Sequence, residues 1–152
     1  MSDPIASADS TAATLATAQR IAGGMAAGAL LAATVAGWVR LDRTSGLLTG
    51  PAGILGIVSP VIGYRLFHLL REKLPAGAGE AERATRFLRA TVSGLAVTEA
   101  AALFGVAAYL LSGELQALIG LGMHIILTGA LWPSEERLAA FDAPEPGSRA
   151  DG

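Results

Sequence analysis

Long apolar runs alternate with short polar joints along this chain, and the run lengths predict its elements. "IAGGMAAGALLAATVAGWV" covers Ile21 to Val39. "LLTGPAGILGIVSPVIGY" starts at Leu47 and continues through Arg65 to Leu70. "ATVSGLAVTEAAALFGVAAYLL" covers Ala90 to Leu111, and "LQALIGLGMHIILTGALW" covers Leu115 to Trp132. A helix needs roughly 20 apolar residues, and at least about 17, to cross a bilayer. The pattern therefore predicts four transmembrane helices, at 21–39, 47–70, 90–111 and 115–132. No run alternates with period two, which argues against a β-barrel. The expected fold is an all-α, integral membrane four-helix bundle.

The joints divide the chain in the same way. Residues 1–20 form a polar N-terminal segment, and "RLDRTSG" is a short link. "REKLPAGAGEAERATRFLR" is the one long charged loop. "SGE" at Ser112 to Glu114 forces a tight antiparallel hairpin between the third and fourth spans. Pro133 ends the fourth span. The tail, 133–152, begins as a short interfacial helix and is expected to be largely disordered beyond it. Pro60, inside the second span, removes a backbone hydrogen bond and predicts a bend.

Charge orients these spans. The side that holds both termini and the long loop carries Arg20, Arg71, Lys73, Arg83, Arg86, Arg89, Arg137 and Arg149. The other side carries Arg40 and Arg43. This asymmetry predicts cytoplasmic termini and a multi-pass protein of a bacterial inner membrane. Trp38 and Trp132 stand at span ends, where indole rings suit the headgroup region, and Arg65 and His68 are read as further anchors there.

Composition agrees with this reading. Hydrophobic residues are 52%, charged residues only 16%, and mean hydropathy is +0.50. A soluble domain carries roughly a quarter charged residues. The net charge of −2 gives no basic excess for nucleic acid, and the absence of cysteine excludes disulfides and thiolate metal sites. No metal, cofactor or catalytic constellation is legible, so an enzyme is not expected.

Glu99 is the main chemical clue. It lies ten residues past Arg89, or about 15 Å into a core about 30 Å thick. An ionised acid there costs at least about 2.5 kcal/mol. On the same helix Gly94, Thr98, Ala101, Gly105, Ala108 and Ser112 form a small-residue stripe that predicts a close helix contact. Glu99 is about 140° away from it, on a face with Val92, Leu95, Ala96, Ala102, Leu103, Val106 and Leu110. "GMAAG", Gly24 to Gly28, is a second candidate packing motif. His124 falls at the same depth on the antiparallel fourth span. Glu99 and His124 are therefore the candidate ion- or proton-binding residues. Whether the acid meets His124, lipid or another subunit stays open.

Residues Phe87–Leu111 resemble the carboxylate-bearing helix of c subunits, the proteolipids of rotary ATP synthases. Leu95, Ala96, Glu99, Ala100, Leu103, Phe104 and Gly105 follow that helix's order. The resemblance implies a Glu99 that binds a proton or sodium ion on an outer face. In four-helix proteolipids the acid is on the fourth helix; here it is on the third. The second half, with "EAAALFGVAAYLLSGE" and "WPSEERL", is similar to small uncharacterised bacterial multi-span membrane proteins, which implies no activity. The expected function is a non-enzymatic structural, accessory or assembly component of a membrane, acting as a homo-oligomer or within a larger complex. The alternative is a proteolipid-like protein that exchanges an ion at Glu99.

Overall fold

The computed structural model describes residues 4–39, 46–72 and 79–141. All its regular elements are helices: α1 (Pro4–Trp38), α2 (Thr49–Glu72), α3 (Glu80–Ser112), α4 (Ile119–Ala130) and α5 (Glu135–Phe141), with 3-10 turns at Gly46–Leu48 and Leu115–Leu118. Among the described residues there is no strand. Arg40, Arg43, Lys73, Arg149 and the tail beyond Phe141 lie outside them.

Two helices start earlier than the hydropathy pattern predicts. α1 begins at Pro4 instead of near Ile21, so most of the polar N-terminal segment is helical. α3 begins at Glu80 and takes in half of the expected loop. Both extensions are rich in Ala, the best helix former, and they pack on each other. Thr11 donates to Glu80 Oε1 at 3.0 Å, and Leu15 shares a buried cluster with Phe87, Ala90 and Phe141. Further along, Ala22 clusters with Leu95. α1 and α3 thus run parallel. Leu15, Ala18, Ala22, Ala29 and Ala36 are the buried side of α1.

α3 is the axis of the molecule and packs on α1, α2 and α4. Its stripe of Gly94, Thr98, Ala101, Gly105, Ala108 and Ser112 is buried throughout, as its spacing predicts. α2 runs as one helix through Pro60. The hairpin after α3 closes at Gly113, whose φ of 71° is left-handed, a conformation glycine adopts without penalty. Its N–H donates to Tyr109 O at 2.7 Å, and Ser112 Oγ accepts the Glu114 N–H at 3.1 Å.

Three helices are long and apolar enough to cross a membrane, at Thr11–Trp38, Thr49–Arg71 and Glu80–Ser112. The fourth expected span differs. A 3-10 turn and a 12-residue α4 replace one straight helix, and α5 departs at 80° after Pro133. Turn and helix together rise about 26 Å, a little short of a core about 30 Å thick. A fourth span therefore exists only if that bent pair is counted. Exposed apolar side chains, among them Leu31, Val35, Ile54, Ile57, Val61 and Ile126, clothe the outside. This is consistent with a multi-pass membrane protein.

Candidate functional site

The small-residue stripe brings three backbones together in the middle of the molecule. A Cβ at Gly56 would lie 2.5 Å from Gly120 N, and one at Gly63 would collide with Gly94 O. A Cβ at Gly120 would stand 3.0 Å from Ala101 O, and Leu127 reaches within 3.2 Å of the Gly63 position. Residues 56 to 63 of α2 therefore run beside 120 to 127 of α4 and against 101 to 94 of α3. Ser59, Thr98 and His124 lie at the middle of this zone. Thr98 and His124 form a polar layer between two glycine contacts, and Ser59 is buried on the neighbouring stretch of α2.

His124 is fully buried there. Its Nδ1 lies 2.9 Å from Thr98 Oγ1, and that hydroxyl also donates to Leu95 O at 2.9 Å. A hydroxyl has one hydrogen. With that hydrogen on Leu95 O, the imidazole carries its proton on Nδ1 and donates to Thr98. Nε2 is left as an acceptor, buried and without a partner among the described residues. Ser59 Oγ on α2 is likewise buried with no partner among the described residues. Thr128 donates to the His124 carbonyl at 2.8 Å.

Glu99 is one residue from Thr98 but about 100° further round the helix. On one flank Leu95, Ala102 and Val106 are buried; on the other Ala96 and Leu103 are exposed. Glu99 is half-buried on the border between them. Its carboxylate has no hydrogen bond or ion pair among the described residues. Of the alternatives left open by the sequence, a Glu99–His124 hydrogen bond is not formed among the described residues. The two share a depth, as the span geometry predicts, but His124 turns to Thr98. The small-residue stripe already held that signal: Thr98 lies on the face that meets another helix, and Glu99 does not.

Gly94, Ala101 and Gly105 pack as expected; a Cβ on Gly105 would collide with the Ala117 carbonyl. Gly24 and Gly28 do not. Among the described residues no neighbouring helix comes within 4 Å of either Cβ position, because the packed side of α1 is its alanine row. Of the proposed anchors, Trp38 is 86% exposed at the end of α1. Trp132 lies against α1, its ring 3.7 Å from the Cβ position of Gly23. Arg65 is exposed, and His68 is half-buried with its ring 4.4 Å from that of Tyr64. Among the described residues no three His, Asp or Glu side chains gather to hold a metal.

Comparison with models of known protein families, with curated proteins and with solved structures found no match.

Proposed function

We propose that this chain is a non-enzymatic, multi-pass membrane protein that works by lateral association, as a structural, accessory or assembly component. The observation that carries this reading is the setting of Glu99. A mid-helix carboxylate, half-buried and without a partner among the described residues, borders the exposed flank of α3. A polar group in hydrocarbon needs a partner, and an adjoining helix can supply one. In this reading the α4–α5 pair serves as the fourth crossing element. Both termini lie in the cytoplasm of a bacterial cell, because that side carries eight of the ten basic residues outside the spans. The partner is a second copy or another membrane protein.

The test is the composition and mass of the particle purified in mild detergent. Wild type should carry a partner or run as an oligomer. Glu99→Leu should release it, and Glu99→Gln, which keeps a hydrogen-bonding group, should retain more of it. A monomeric wild type that matches Glu99→Leu would overturn the proposal.

The same exposed flank favours a second reading, in which Glu99 binds a proton or sodium ion, as the local likeness to proteolipids implies. Sodium protection of Glu99 against carbodiimide labelling separates this reading from the first.

A further inference from the structure

We propose that the basic cavity between α2 and α5 binds the phosphodiester headgroup of an anionic phospholipid, an inference that rests on the membrane placement above. The cavity, of about 160 Å³, is lined by Tyr64, His68, Arg71 and Arg137 over a floor that includes Phe67 and Phe141. Arg71 builds it. Its Nε donates to Phe141 O at 3.2 Å and its Nη2 to Ala140 O at 3.0 Å. These bonds hold the end of α5 against α2 and bring Arg137 over the aromatic floor.

Among the described residues the lining has two guanidinium groups and an imidazole and no acid. That is not general to this end of the molecule. The neighbouring cavity, of about 430 Å³, carries Glu80 and Glu135 with Arg83. Three donors of the basic cavity are uncommitted among the described residues: the Tyr64 hydroxyl, the His68 ring and the Arg137 guanidinium. Arg71 adds a fixed positive charge behind them. Such a set matches a phosphate oxygen pair, which takes charge-assisted hydrogen bonds.

Depth and shape favour a lipid over a soluble phosphate. Phe67 packs edge-on against Phe87, with ring centres 6.4 Å apart, and Phe87 lies between Arg86 and Arg89 at the predicted boundary of the core. The cavity is therefore at headgroup level, on the side where basic residues meet anionic lipid. Below it Val61 and Ile57 continue the face of Tyr64 and His68, exposed by 62% and 58%. A headgroup in the cavity would lay its acyl chains along them.

The full chain, reconstituted in nanodiscs with equal phosphatidylglycerol and phosphatidylcholine, is re-extracted, and its retained lipids are counted by native mass spectrometry. Wild type should enrich phosphatidylglycerol about tenfold or more, the worth of one charge-assisted hydrogen bond. Arg137→Ala should abolish most of that enrichment; Arg137 is exposed, so the fold should survive its loss. His68→Phe keeps the ring contacts but not the donor, and should give part of the loss. Arg89→Ala, the same charge removed outside the cavity, should leave the enrichment intact. No enrichment, or equal losses in Arg89→Ala and Arg137→Ala, would overturn the proposal. Displacement of the lipid by millimolar inorganic phosphate would make this a soluble-anion site and overturn the lipid assignment. Carbonate-resistant sedimentation with membranes reports the membrane placement separately.

Discussion

α3 is held in two different ways on its two sides. Toward α2 and α4 the contact is backbone against backbone: Gly63 on Gly94, and Gly105 on the Ala117 carbonyl. Toward α1 it is side chain against side chain, with Leu15 clustered with Phe87 and Ala22 with Leu95. In a bilayer no hydrophobic force drives helices together, so close packing and polar contacts decide which pairs hold. The first side has both, since the Thr98–His124 bond lies among its glycines. The second has side-chain packing and an exposed hydrogen bond from Thr11 to Glu80. α2, α3 and α4 form the tight unit, and α1 leans on it. Glu99 lies where that seam ends and the exposed flank begins.

The largest effect should come from adding one methyl on the tight side. The small-residue stripe alone suggests that Gly105→Ala is mild and only Gly105→Leu severe. The carbonyl of Ala117 changes this, because backbone cannot step aside as a side chain can. Gly105→Ala should cost about 1–3 kcal/mol of stability in detergent, and Gly105→Leu more. Gly28→Ala, on the open side of α1, should stay within about 0.5 kcal/mol of wild type or gain slightly. Thermal unfolding of the two alanine variants measures the contrast. Equal midpoints would mean that the two sides do not differ.

Much of the fold was legible because membrane helices follow few rules. The apolar runs located α2 and α3, and "SGE" placed the hairpin. The small-residue stripe identified the packed face of α3. What the residues hid depends on neighbours. The starts of α1 and α3 are polar enough to read as tail and loop, yet each is a surface for the other. Gly24 and Gly28 fit a packing motif, but α1 presents its alanine row instead. The fourth span passes a length test in sequence, yet it folds as a 3-10 turn followed by a helix of only 12 residues. At the candidate site the residue spacing fixes depth, while the partner depends on rotation about the helix. Equal depth leaves both Thr98 and Glu99 within reach of His124, and the rotation of Thr98 selects it as the partner.

An intermediate effect is expected from the polar layer. Thr98→Val and His124→Leu should each destabilise the protein, and a double-mutant cycle should give a coupling of about 0.6–1.7 kcal/mol, the range of measured hydrogen bonds between membrane helices. Glu99→Leu and His124→Leu should be additive. Coupling between Glu99 and His124 in place of Thr98 and His124 would put the acid inside the bundle and erase the distinction between the two sides of α3.

The smallest effect on the isolated chain, and the most telling, should be that of Glu99→Leu. The carboxylate makes no polar contact among the described residues, so its removal breaks nothing within them. It also relieves the cost of a polar group at mid-span, at least about 2.5 kcal/mol for an ionised acid. The unfolding midpoint should therefore hold steady or rise. Reactivity should tell the opposite story. Dicyclohexylcarbodiimide partitions into lipid and needs a protonated carboxyl that it can reach from there. Glu99, half-buried beside exposed Ala96 and Leu103, can be reached from lipid. Wild type in membranes should be labelled at Glu99, and mass spectrometry of the peptide would locate the adduct. If the proposed partner covers this flank, labelling should be slow in native membranes and fast once the particle is dissociated in detergent. A bare flank would label at the same rate in both. A Glu99 that resists the reagent even after dissociation would have to lie within the α1–α3 seam, and the looser side of α3 would then have a polar lock of its own.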